Sequence, residues 1–256
     1  MHLGQSLIYP QRVSMRIDQV IFTSANDRTR QGYQLVARSA GIDASGADEL
    51  AQWFPSHAAL AHPDLNAASI NCFPLDDRRY VVSRTAYGGA EYSSRGGAQV
   101  LTRALVAPLT LLANYQNNAH LLVRTTAALG LLRATFDPAR KLAQVDVPEW
   151  PLPPLSQRHG RPAADDESER VLAQLRDCLE EITQGARVCV IGDCDPVATC
   201  ERFLHAAPRA LRARLSVATG IWPSVSRPYQ IHFLPRITAL RKSRLKAQGV
   251  DHVIEI

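Results

Sequence analysis

Apolar and polar positions follow two rhythms, one on each side of a proline-rich stretch at 148–165. Upstream, residues 17–25 and 32–39 read as two strands joined by a polar loop carrying Asn26 and Asp27. In the second, Tyr33, Leu35 and Ala37 alternate with Gln34, Val36 and Arg38, which suits a sheet with one wetter face. Residues 45–54 read as a helix, with Ser45 as its cap and Asp48 three positions later. Residues 69–74 and 80–85 predict a hairpin around the charged turn Asp76, Asp77, Arg78 and Arg79. Between 98 and 107, alternation and helix-forming composition disagree, so that stretch fits either element. Helices are expected over 108–115 and 119–133, the second burying Leu122, Thr125, Leu129 and Leu132 among others. The sum is an α+β domain over residues 16–147. Met15 directly precedes the first strand pattern, so residues 1–15 read as a short appendage or a misassigned start.

Five prolines (Pro148, Pro151, Pro153, Pro154 and Pro162) fall in the next stretch, too many fixed dihedrals and missing donors for a helix or a central strand. It reads as a linker over 148–165. Downstream, helix and strand alternate. Val171, Leu172, Leu175, Cys178, Leu179 and Ile182 recur at helical spacing between a capping Asp166 and a terminating Gly185. Val188, Cys189, Val190 and Ile191 form the continuous apolar run of a strand buried on both faces of a parallel sheet. Asp195 followed by Pro196 is a helix start, and further strands are expected at 215–219, 229–233 and 252–256, with a helix over 236–248. Alternation of this kind implies crossover connections. Residues 166–256 therefore read as a small Rossmann-like α/β sandwich, and the whole chain as α/β.

Composition adds limits. The 256 residues are 46% apolar and 21% charged, enough to build an ordinary core. No uncharged apolar run reaches membrane-spanning length, and the start lacks the pattern of a secretory signal. Five cysteines without a CxxC pair read as reduced thiols, so a cytoplasmic location is expected. The formal charge of +5 hides a gradient. Residues 151–200 carry five basic and nine acidic groups, whereas residues 201–256 carry ten basic and three acidic ones. Those cations are spread over several elements with few interleaved aromatics, which favours a solvated face or a protein interface over a nucleic-acid platform. Of the 29 basic residues, 26 are arginine.

Two segments carry candidate chemistry. The run Val188–Thr199 ends its strand at Asp193, Cys194 and Asp195, where paired carboxylates could hold Mg²⁺ with Asp193 as phosphoryl acceptor, as in haloacid-dehalogenase-type phosphatases. Against this, Asp195 reads more simply as a plain N-cap, and Asp251 and Glu255 are the only acids after Glu201, so the family's second acidic cluster is incomplete. The second segment, residues 84–97, packs Arg84, Tyr87, Glu91, Arg95 and four glycines behind a strand, the composition of a recognition loop. With Arg38 on the neighbouring sheet, its arginines offer planar donors to carboxylate or phosphate. No cofactor or metal motif is complete.

The pieces IDQVIFTS at 17–24, GYQLVARSAGI at 32–42 and the 83–96 segment resemble the amino-terminal region of bacterial GTPase-associated proteins, and the stretch 207–220 is similar to the region that follows. That resemblance implies a non-enzymatic adaptor, with a GTPase as its protein partner, in a bacterial defence or signalling system. It supplies no catalytic residues. Glu91 and Ser94 stand where the family pattern has aspartate and glycine, and the long carboxyl-terminal region of the family does not follow. The Mg²⁺-dependent phosphatase using Asp193 and Asp195 is the alternative reading.

Overall fold

The computed structural model describes residues 13–26, 31–56, 59–61, 68–90, 98–133, 141–152, 166–193 and 195–255, and only the backbone of 90 and 166–168. Strands β1 (Ser14–Asn26) and β2 (Gln31–Ser39) pair antiparallel. Helix α1 (Ala44–Trp53) follows, capped by Asp43 rather than Ser45: the Asp43 carboxylate accepts the Gly46 amide at 2.7 Å, so the helix starts one residue earlier than its sequence suggests. The expected hairpin is present as β3 (Ala68–Pro74) and β4 (Arg79–Ala90). β4 is longer than expected and carries Arg84 and Tyr87 inside its ladder instead of in a loop.

The ambiguous stretch is a strand, β5 (Ala98–Pro108), held between β4 and β1. Both of its faces are covered, so Leu101, Thr102, Ala104, Leu105 and Val106 are all buried and no alternation survives in the sequence. Helices α2 (Leu109–Asn114) and α3 (Ala119–Ala128) then cross one face of the sheet. Strands β6 (Lys141–Leu142) and β7 (Val145–Pro148) pair with β2 and β1. The start of the proline-rich stretch is fastened, because the Tyr115 hydroxyl donates to the Pro148 carbonyl at 2.8 Å and the Leu152 amide to Thr125 Oγ1 at 3.2 Å.

Downstream, α4 (Asp166–Asp177) and α5 (Leu179–Thr183) replace the single expected helix, with a one-residue break at Cys178. The apolar stripe continues through both, since Val171, Leu172, Leu175, Leu179 and Ile182 are buried. Asp166, the expected cap, is instead the first residue of α4, and the cap position before it, residue 165, lies outside the described residues. Strand β8 (Val188–Gly192) is buried throughout, and α6 (Pro196–Ala206), α7 (Arg209–Arg212), β9 (Val217–Thr219) and β10 (Ile231–Pro235) follow. The expected helix over 236–248 is broken into α8 (Ala239–Lys242) and a 3₁₀ turn (Lys246–Gln248), after which Gly249 turns with φ of 81°. Its only buried side chain, Leu245, is too little to hold a long helix crowded with like charges. Strand β11 (His252–Glu255) closes the chain's described part.

The eleven strands of the described residues belong to one mixed sheet, ordered β11-β8-β10-β9-β3-β4-β5-β1-β2-β6, with β7 on β1. β11, β8, β10 and β9 are parallel to one another, and β9 joins antiparallel to β3 through Asn71 opposite Ala218 and Cys72 opposite Val217. Side chains reinforce the seam. The Tyr80 hydroxyl donates to the Leu215 carbonyl at 2.7 Å, and Thr219 Oγ1 accepts from the Ile70 amide at 2.9 Å. One sheet face packs beneath α2–α6 around Leu105, Val82, Cys72, Val217, Ile231 and Val188. The other packs beneath α1 through Phe22, Phe54 and Phe73, and beneath the α8 segment through Cys189, Ile191 and Leu245.

Candidate functional site

β8 leaves its end toward α6 on one face, while neighbouring β10 leaves toward α8 on the other. Open α/β sheets hold ligands in such a crevice, outside the carboxyl ends of strands whose connections diverge. Here Asp193 and Arg236 form an ion pair at 2.9 Å, one residue beyond the ends of β8 and β10. Asp195 does not turn toward Asp193; its carboxylate accepts the Val197 amide at 2.9 Å and caps α6. A carboxylate there repels the phosphate that a free helix start attracts. Cys194 lies outside the described residues, and among the described ones no three His, Cys, Asp or Glu side chains gather as metal ligands. The paired-carboxylate metal centre is thus not formed by Asp193 and Asp195, because each is committed to a different partner.

The recognition residues are divided between the two faces. Arg38, opposite Val20 on β1, lies on the α1 face, and its guanidinium donates to the Asp43 carbonyl. Tyr87 shares that face and packs into the same aromatic-rich core. Close by, Tyr33 stacks on Phe22 with ring centroids 5.9 Å apart and accepts the Val100 amide at its hydroxyl. Arg84 lies on the α3 face, directly opposite Arg103 of β5. Glu91 and Arg95 lie outside the described residues.

The Arg84–Arg103 pairing places like charges side by side, which weakens a sheet unless other groups take up the donors. Arg103 Nη2 donates to Gln19 Oε1 at 2.6 Å, and Gln19 in turn donates to the Ala143 carbonyl at 2.7 Å. Burial pulls the Arg103 pKa below its usual value. Arg103 is a residue the sequence reading missed, although an arginine inside the apolar run VLTRALVAP is visible in the chain.

Several arginines of the carboxyl-terminal half are spent on the fold. Arg187 donates to four carbonyls, those of Tyr229, Gln248, Ser224 and Arg227, at 2.6–3.2 Å. Arg212 donates to three, of Ala207, Gln116 and His205. A lysine's point-like ammonium could not reproduce either fork. Arg241, Arg244 and Lys246 differ, having no carboxylate partner among the described residues. The Arg241 guanidinium lies 4.7 Å from the centre of the Trp222 ring. The acidic α4–α5 helices and this basic segment sit over opposite faces of the sheet, so they do not neutralise one another. The β11 edge meets both: His252 contacts Glu181 of α5 at 2.7 Å, and Lys242 of α8 pairs with Glu255 of β11 itself.

The described cysteines are free, and burial pushes the Cys189 thiol up to about 12 and raises those of Cys72 and Cys200 as well. Such thiols are poor nucleophiles at neutral pH.

No curated protein and no solved structure matches the chain. A family model does, that of GTPase-associated protein 1, N-terminal domain type 2, over residues 16–146. The matched span takes in β1–β6 with α1–α3 and leaves out the stretch 207–220. Within it, Asp18 explains two of the motif residues: its carboxylate accepts from the Ser39 hydroxyl at 2.7 Å and the Gly41 amide at 3.2 Å. A Cβ on Gly41 would sit 2.2 Å from that carboxylate. With half of its length matched, the chain belongs to the GTPase-associated protein family through this type 2 amino-terminal domain.

Proposed function

We propose that the protein is a non-enzymatic binding component that acts as an adaptor beside a GTPase, in the cytoplasm, within a bacterial defence or signalling system. The family membership carries this reading. The crevice at β8 and β10 supports it, because carboxylates stand where a nucleotide phosphate would dock, which fits a chain that accompanies a nucleotide hydrolase rather than being one. We read residues 16–147 as the family domain, 148–165 as a strap and 166–256 as a Rossmann-like unit in the loose sense. Its strands are parallel and joined by crossovers, in the order β9-β10-β8-β11.

Arg38, Arg84, Tyr87, Glu91 and Arg95 are the proposed recognition contacts. Because Arg38 and Arg84 lie on opposite faces, one flat partner surface touches them both only around the sheet's edge. The test is capture of the GTPase encoded beside this protein, loaded with GTP or GDP, by the full chain and by Arg84→Ala and Arg95→Ala. Capture reduced at least tenfold by the paired substitutions is the expected result. Absence of capture in both nucleotide states overturns the GTPase reading, and capture unchanged by the substitutions overturns the contact assignment.

A further inference from the structure

On the α8 side of the sheet, Trp222, Pro223, Val225, Arg227, Arg241 and Arg244 line an open groove of about 480 Å³. Its charge is one-sided. Arg227 lies beneath it, donating to the Trp222 carbonyl at 3.2 Å, while its Nε is buried with no partner among the described residues. Arg187 stands beside it, and among the described residues Asp251 is the one carboxylate bonded to this group, through the Arg187 amide. Arg241 and Arg244 are exposed at the rim, and Lys246 follows.

The groove is also apolar. Val225 in its lining is 75% exposed, and Leu240, outside the lining but adjacent to Arg241 in the chain, is 66% exposed. Large aliphatic side chains left in water beside unpaired arginines are the composition of a protein-docking surface. The indole of Trp222 carries a guanidinium over its ring and packs against the core cluster of Cys189, Ile191 and Leu245, which leaves little of it free for stacking a base. That stacking also holds Arg241 in place before a ligand arrives, which lowers the entropy lost on binding.

We propose that this groove docks an acidic protein segment bearing an aliphatic or aromatic side chain. The segment's carboxylates engage Arg241 and Arg244, and its apolar side chain rests on Val225 and the half-buried Trp222. This rests on the reading of the chain as a protein-binding component, and it adds a second contact surface, remote from Arg84 and outside the family-matched span.

The test is fluorescence anisotropy on the full chain with four labelled probes. These are a twelve-residue peptide of Glu and Gly with one central Leu, the same peptide with Ala for Leu, a version with Lys for Glu, and a twelve-nucleotide oligo-dT. The Glu and Leu peptide is expected to bind, about fivefold more weakly when Leu is Ala, at least tenfold more weakly to Arg241→Glu/Arg244→Glu, and more weakly in 0.5 M salt. The Lys version is expected not to bind. Arg241→Lys, which keeps the charge but loses the planar stack, should fall in between, and thermal melts verify that each variant is folded.

No binding of the acidic peptide, equal affinity for its Leu and Ala forms, oligo-dT bound as tightly, or indifference to charge reversal each overturns the proposal. Repeating the GTPase capture with Arg241→Glu/Arg244→Glu separates the two readings. GTPase captured while the peptide fails removes the groove and leaves the GTPase association. The peptide bound without GTPase capture does the opposite.

Discussion

The antiparallel and parallel halves of the sheet are held by different means. β1–β5 are long strands in mutual register, so their ladder supplies most of the fastening, with the Asp18 corner at Ser39 and Gly41 as a local lock. β8–β11 have three to five residues each, and here side chains do what the short ladder leaves undone. Arg187 gathers carbonyls from the loop before β10 and the 3₁₀ turn before β11. The contrast shows why a count of charges in the sequence misleads. An arginine serving four carbonyls and an arginine stacked at a groove rim look alike in the chain.

The sharpest way to break the contrast is Arg187→Ala, which leaves four carbonyls without their donor. We expect a loss of about 3 kcal/mol in urea unfolding, with Arg187→Lys recovering less than half. A loss under ~1 kcal/mol would mean that the parallel half does not depend on this hub. In the antiparallel half, Gly41→Ala drives a methyl into the Asp18 carboxylate, and a loss of about 2 kcal/mol is expected. Asp18→Ala in the same chain should relieve the clash, so the two substitutions together should cost less than their sum.

Acid should weaken the fold through a buried histidine of the parallel half. His232 is buried beside Tyr229, its Nδ1 3.1 Å from the Ile221 carbonyl, and burial lowers its pKa to about 3. The unfolded chain takes up that proton near pH 6.5 and the folded chain does not, so stability is full above about 6.5 and is lost as pH falls toward 3. The slope is roughly 1.4 kcal/mol per pH unit. Urea unfolding between pH 7.5 and 5 measures it, and His232→Leu should flatten the limb. Burial shifts His120 in the same direction. The smallest effect is expected at the seam, where Tyr80→Phe removes the hydroxyl that donates to the Leu215 carbonyl, for about 1 kcal/mol. Unfolding should remain a single transition; two separated transitions would show that the halves melt independently.

Local signals in the chain were legible where one physical cause dominated. The apolar run of β8 has one reading because both its faces are covered, and Asp195 before Pro196 makes a cap whatever surrounds it. Legibility failed where distant contacts decide. β5 has helix-forming residues that become a strand only between β4 and β1. The 236–248 stretch has helical spacing, but a single buried leucine to hold it. Asp43 outcompeted Ser45 because its longer side chain reaches the Gly46 amide from outside the helix. At the candidate sites, the chain announced Arg38 and Arg84 but not that they lie on opposite faces, which only the register across β4, β5, β1 and β2 fixes. Trp222 and Arg103 acquire their meaning from partners far away in sequence or on another strand.

The β3–β9 pairing also bears on how the molecule is made. During synthesis β3 emerges some 145 residues before β9, at 217–219, can cover its free edge. Until then the nascent family domain presents a raw row of backbone donors and acceptors, the template on which chains join edge to edge. The carboxyl-terminal half is therefore a plug for that edge. A fragment ending near residue 146 should be far more prone to self-association than the full chain.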